Sequence, residues 1–278
     1  MPVRIVTDST CDLPASVVSA LGIYVVPLYI NIGSQSYLDG IDITREAFYQ
    51  GLSNFAHHPT TAVPSPQKFR AVYNALAEEG ANEVVSIHIS SALSALVNVA
   101  QTAAQDTHSA AVTVIDSRQL SLGTGFLVER AALMARSGCS AVEIAAALRQ
   151  LIRRTHVSAA LDTLAYLRRS GRMNGLLSSL GELLQIKPSL TMYDGQPGTE
   201  RVRTRKNATR RLVEMVQACA PIEKIAFLHS GAVEQAHALM REVKDLLPGG
   251  DAWLEAINPV LGAHIGPGVV GFAAISKS

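Results

Sequence analysis

The groups able to do chemistry in this 278-residue chain are concentrated at a few places. The first is residues 84–102, where Val-Val-Ser-Ile-His-Ile runs into Ser-Ser-Ala-Leu-Ser and then Ala-Leu-Val-Asn-Val-Ala-Gln-Thr. Val84, Val85, Ile87 and Ile89 suit a buried parallel strand. Ser90 and Ser91 are helix-capping types placed just ahead of a helical spacing, so they are expected to support a helix N-terminus. Unpaired backbone N–H groups and the positive end of the helix dipole favour an anion there, and Ser94 adds a third hydroxyl. No lysine follows and no glycine opens the loop, unlike a P-loop. A carboxylate fits better than a phosphate, although serines that only cap a helix account for the same residues.

The second place is Gly262-Ala263-His264-Ile265-Gly266-Pro267-Gly268, read as a loop. Its imidazole can donate to a carboxylate and titrates near neutral pH; a histidine of purely structural role fits as well. Ser94 and His264 meeting in space would make an acyl-ester or thioester hydrolase, but no Gly-x-Ser-x-Gly elbow accompanies them. Gly266 to Gly271 matches G-x-G-x-x-G literally, yet a strand pattern follows where a dinucleotide site needs a helix. His57-His58 has no Cys, Asp or Glu at ligand spacing, so no metal site is expected. Arg201, Arg203, Arg205, Lys206, Arg210 and Arg211 hold six of the 24 Lys and Arg residues. Interleaved aromatics are missing, so an acidic partner surface suits this strip better than nucleic acid.

The length calls for two domains. Hydrophobic residues make up 48% of the chain and charged residues 17%, with a mean hydropathy of +0.20. The apolar runs fall short of the ~18 residues of a membrane span, so the surplus belongs in a core or a lined pocket. A net charge of +1 gives no bulk attraction to nucleic acid. Three scattered cysteines without a Cys-x-x-Cys pair suit a reducing cytoplasm.

Strand and helix patterns alternate from Val3 to Arg153, with strands at 3–6, 24–32, 84–89 and 111–115, and helices at 14–21, 44–52, 67–79, 126–136 and 141–153. This predicts a mostly parallel sheet flanked by helices. After Thr155 the Asp194-Gly195 turn, flanked by 186–192 and 201–204, brings in antiparallel pairing. The expected fold is therefore α/β, with an N-terminal α/β domain over 1–155, a mixed C-terminal α/β domain over 156–278, and a ligand cleft between them.

Five segments, in order, resemble the DegV family of bacterial fatty-acid-binding proteins: Val6-Thr7-Asp8-Ser9-Thr10, Thr60-Thr61-Ala62-Val63-Pro64-Ser65-Pro66, Ile89-Ser90-Ser91-Ala92-Leu93-Ser94, Tyr166-Leu167-Arg168-Arg169-Ser170-Gly171-Arg172 and His264-Ile265-Gly266-Pro267-Gly268. The resemblance implies a long-chain fatty acid buried between the two domains, its carboxylate held by Thr61 and Ser94 with His264 close by. It further implies a non-catalytic, cytoplasmic, lipid-carrying subunit without cofactor. The chain would present the carboxylate to the ATP-binding subunit of a fatty acid kinase through Arg172 and Arg203, with transient contact at a membrane surface. The family's Thr-Ser-Gln-Pro is Thr61-Ala62-Val63-Pro64 here, and its Leu-Ser-Gly-Thr-Tyr is Leu93-Ser94-Ala95-Leu96-Val97, so polar groups beside the carboxylate site are lost.

Overall fold

The computed structural model of the chain describes residues 3–171, 187–250 and 252–277. Its first half runs Val3–Asp8 (β1), Ala15–Leu21 (α1), Tyr24–Val26 (β2), Tyr29–Ile32 (β3), Gln35–Leu38 (β4), Arg45–Gly51 (α2), Thr60–Ala62 (β5), Pro66–Glu78 (α3), Glu83–His88 (β6), Leu96–Gln105 (α4), Ala111–Asp116 (β7), Leu122–Arg136 (α5) and Ala141–Ile152 (α6). Its second half runs Thr155–Ala160 (β8), Ala165–Ser170 (α7), Ser189–Tyr193 (β9), Gln196–Glu200 (β10), Arg205–Ala218 (α8), Ile222–His229 (β11), Val233–Glu242 (α9), Trp253–Ala256 (β12), Pro259–Ile265 (α10) and Val270–Ser276 (β13).

The α/β expectation holds. Strands β2-β1-β6-β7 form an all-parallel sheet, and their buried Val and Ile runs are what two covered faces require. Helices α3 and α4 pack together against β6, and α5 with α6 packs on the same sheet. A mixed sheet follows in the order β10-β9-β8-β13-β11-β12, antiparallel except for the β11–β12 pair. Every strand of the first sheet precedes Ser117 and every strand of the second follows Arg154, yet one buried apolar cluster runs from Val3 to Ile275.

Several local expectations need correction. The stretch 24–32 is not one strand: Pro27 cannot donate to a ladder, and Leu28 N–H bonds to Ser9 Oγ instead (3.2 Å). The chain thus leaves the parallel sheet, and β3 joins β4 and β5 in a separate antiparallel sheet. Thr60–Ala62, in a stretch rich in turn formers, is a strand because Ile30 and Thr61 pair in that sheet. His264 lies in a helix, not a loop: Asn258 caps it, Pro259 occupies its first turn and Gly266 ends it. The Asp194-Gly195 hairpin is present, but its second strand is Gln196–Glu200, not 201–204. The apolar stretch 176–184, whose spacing is helical, lies outside the described residues. Among the described residues no helix is long and apolar enough to cross a membrane.

Helix α5 begins four residues earlier than its apolar spacing implies, and its glycines explain how. A Cβ on Gly123 would stand 2.5 Å from Val157 Cγ2, and one on Gly125 2.5 Å from the carbonyl oxygen of Cys11. These glycines are therefore contact surfaces rather than breakers. A Gly125→Ala substitution should destabilise the protein by about 1–3 kcal/mol, seen as a lower urea midpoint with an unchanged slope. An unaltered midpoint would show that the helix can move aside.

Candidate functional site

Strand β5 and helix α10, 203 residues apart in sequence, bring Thr61 Oγ1 within 3.0 Å of His264 Nε2. Both side chains line a cavity of about 680 Å³ together with Ser94 and Thr10. The rest of its wall is mainly apolar, including Leu28, Ile89, Leu93, Leu190 and Leu261. A second cavity of about 550 Å³ shares Leu93, Leu120, Leu190, Leu261 and Ile265 with the first and continues among Val157, Met192, Leu228 and Ile257. The adjoining spaces thus have a polar end and a long apolar remainder, the shape and chemistry of an amphipathic ligand. Residues on both sides of position 155 contribute to it.

The serine turn does not work as its sequence implies. Helix α4 starts at Leu96 with Ala95 before it, so Ser90 and Ser91 do not cap it. Ser90 is buried and its Oγ accepts from Ala92 N–H at 3.3 Å. Ser91 gives its hydroxyl to Asp116 Oδ2 at 2.6 Å. That acidic partner, 25 residues away, outcompetes the helix terminus and was not marked by any local pattern. Ser94 remains at the cavity, where its Oγ accepts from Leu96 N–H at 3.3 Å. The hydrogen bond described for His264 goes to Thr61, and none is described between His264 and Ser94. Of the residues that depart from the family pattern, Ala62 and Val63 line the cavity, whereas Leu96 and Val97 are buried at the start of α4.

What aims His264 is a buried carboxylate that sequence reading passed over. Asp12 is fully buried; its Oδ1 accepts from Asn258 N–H at 2.9 Å and Asn258 Nδ2 at 3.0 Å, with the Arg45 guanidinium at 3.3 Å. Its Oδ2 accepts from Ser121 Oγ at 2.5 Å. Asn258 in turn accepts from Leu261 N–H at 2.9 Å, starting the helix that carries His264. Asp12 and Ser121 both hold positive φ, 56° and 51°, a cost that only a well-determined surround sustains. Burial raises the Asp12 pKa despite Arg45, Ser121 and Asn258.

Burial and the Arg169 charge lower the His58 pKa, and its ring lies 5.5 Å from that of Tyr166. A Cβ on Gly266 would strike the Tyr166 ring at 2.3 Å, so the glycine repeat here serves ring packing and leads into β13, not a dinucleotide helix. Among the described residues no group of three His, Cys, Asp or Glu side chains could hold a metal. Arg203 is exposed, and Arg172 lies outside the described residues. The neighbouring strip is partly neutralised: Arg205 meets Asp162 at 2.8 Å, and Arg211 meets Glu200 at 2.6 Å and Glu214 at 3.0 Å.

Comparison with known proteins agrees with this architecture. The family model for uncharacterised proteins of the DegV family matches residues 2–277. A DegV domain-containing protein of Deinococcus radiodurans is 37% identical over 277 residues, covering 98% of each chain. A DegV family protein from Thermus thermophilus, described for its fatty acid binding, superimposes with a TM-score of 0.91 at 38% identity over 100% of both chains. DegV from Bacillus subtilis, described as a fatty acid binding protein, gives a TM-score of 0.91 at 27% identity, again over 100% of both.

Close to Asp12, the side chain of Asp39 has its pKa pushed up to about 7, first by burial and then by the Asp12 charge, against a Ser9 hydrogen bond. A carboxyl with a raised folded-state pKa stabilises the fold relative to an ionised group at low pH, and that contribution is lost between about pH 4 and pH 7 as the unfolded chain ionises first. Asp39→Asn should therefore gain stability relative to the parent on going from pH 4.5 to pH 8, by up to about 4 kcal/mol. Urea unfolding at the two pH values checks this. An equal difference at both would mean that Asp39 titrates normally.

Proposed function

Because the chain belongs to the DegV family, we propose that it binds a long-chain fatty acid, with the carboxylate at Thr61, Ser94 and His264 and the tail in the adjoining apolar space. The observation that carries this reading is the Thr61–His264 hydrogen bond at the one polar end of an otherwise apolar cavity. Each methylene transferred from water to such a wall contributes about 0.8 kcal/mol, so the tail supplies most of the affinity and the head group sets orientation. The fatty acid binding described for the Thermus thermophilus and Bacillus subtilis proteins supports the ligand class.

In this reading the protein is a cytoplasmic carrier of two α/β domains, 1–155 and 156–278, that does no bond chemistry itself. It presents the carboxylate to the ATP-binding subunit of a fatty acid kinase, using Arg203 and Arg172, and collects its ligand by transient contact with a membrane surface. The exposure of Arg203 beside a strip in which Arg205, Arg210 and Arg211 have acidic partners fits a docking role.

Native mass spectrometry of the purified protein, with extraction of copurifying lipid, tests the carrier reading directly. A stoichiometric fatty acid is the expected result; a protein that is empty and refuses added palmitate overturns it. A Thr61→Ala, Ser94→Ala double variant should bind palmitate at least about tenfold more weakly, the loss of two hydrogen bonds to a charged group. Full retention of affinity would remove both residues from the head-group site.

A further inference from the structure

Behind the polar end of the cavity runs a buried hydrogen-bonded chain that the carrier reading leaves unused. Asp8, at the end of β1, has no solvent exposure, and its carboxylate accepts four hydrogen bonds. They come from Thr10 N–H at 3.0 Å, Thr10 Oγ1 at 2.5 Å, His88 Nδ1 at 2.9 Å and Ile89 N–H at 3.2 Å. His88 Nε2 lies 2.7 Å from Ser86 Oγ, which accepts from the Tyr73 hydroxyl at 2.8 Å. Two of the groups that Asp8 holds, Thr10 and Ile89, line the cavity of Thr61, Ser94 and His264.

Asp8, His88 and Ser86 have the composition of a hydrolase triad, but not its use. Ser86 and His88 are wholly buried and the serine oxygen is already occupied by Tyr73, so no substrate reaches it. The protons can be assigned. Tyr73 donates to Ser86, and the Asp8 carboxylate, which can only accept, takes the Nδ1–H of His88. Asp8 carries the charge, with its lone pairs filled by its donors. Burial opposes that ionisation, but the hydrogen bonds and charge of His88 and the Thr10 hydrogen bonds outweigh it and hold the carboxyl below its usual range.

Thr10 has one hydroxyl proton, and Asp8 takes it. Toward the cavity its oxygen can only accept. The turn after β1 adds Cys11 and Asp12, and the end of β4 adds Asp39; Arg45 of α2 is bound to Asp12 and Glu255. Burial, with Asp8 among the lesser causes, pushes Cys11 up to about 12 and Asp39 to about 7. From α10, His264 faces the cavity hydrogen-bonded to Thr61.

We propose that Asp8, oriented by His88, is a positioning residue of the head-group cavity: it presents Thr10 as an acceptor, so that the bound acyl ligand retains its carboxyl proton to higher pH than in water. A carboxylic acid donates to Thr10 and accepts from Thr61 and Ser94, whereas an ionised head meets lone pairs backed by a buried like charge. This inference rests on the carrier reading and specifies the protonation state in which the ligand is held.

The test is nuclear magnetic resonance of palmitate carrying carbon-13 at its carboxyl, bound to the intact protein and titrated from about pH 5 to pH 9. The carboxyl shift should titrate about one pH unit or more higher on the parent protein than on Asp8→Asn or Thr10→Val. If Asp8→Asn does not fold, Thr10→Val decides alone, since it removes the acceptor while keeping the side-chain volume. Equal midpoints on parent and variants, each with palmitate bound, would overturn the inference and leave the carrier reading intact. Absence of any bound resonance on the parent would overturn both.

Discussion

The buried carboxylate of Asp12 is the constraint on which the rest of the site depends. An ionisable group without solvent is tolerated only when its lone pairs are filled, and here they are filled by three distant parts of the chain: Asn258, Ser121 and Arg45. Each partner fixes something else. Asn258 starts the His264 helix, Ser121 starts α5, and Arg45 reaches on to Glu255 and the carbonyl of Ala256 at the end of β12. A residue in the turn after the first strand thereby sets the angle of a helix that closes the cavity more than 240 residues later. The positive φ of both Asp12 and Ser121 belongs to the same arrangement, because relaxing either backbone would break the bond between them.

Around that hub the two main sheets are held together by close approach and by charge. Gly123 and Gly125 let α5 lie against β8 and the turn after β1 with no side chain between. One and two turns further along the same faces, Glu129 and Arg130 reach Lys224 and Glu223 on β11, and Arg154 meets the same Glu223 at 2.8 Å. Lys224 also sits between the Phe126 and Trp253 rings, 5.2 and 4.0 Å from their centroids. Such part-buried pairs contribute mainly orientation. The apolar cluster that spans both halves supplies the cohesion.

The cavity is what remains where this packing is incomplete. Its walls come from strands and strand ends of all three sheets and from α7 and α10, and among the described residues Thr10, Thr61, Ser94 and His264 interrupt the apolar surface at one end. The loss of polar residues at positions 62 and 63 makes that end more apolar still, whereas Leu96 and Val97 turn into the core and leave the cavity untouched. Polar recognition therefore falls on few groups, each held by a second: Thr61 by His264, Thr10 by Asp8.

The sequence by itself determined the α/β class, the mixed pairing after Thr155 and the Asp194-Gly195 hairpin, because periodicity and turn chemistry are local properties; the grouping of Thr61, Ser94 and His264 came only with the resemblance to a family. It misplaced the structures around those residues. Pro27 splits an apparent strand, Asn258 and Pro259 make a helix where Gly and Pro read as loop, and Asp116 draws Ser91 away from a helix terminus. It was silent on Asp12 and on the Asp8–His88–Ser86–Tyr73 chain, whose members are single polar residues in apolar surroundings with no characteristic spacing. Only the tertiary structure decided their roles, since a buried polar group gains its meaning from the partner that satisfies it, and those partners lie up to 246 residues away.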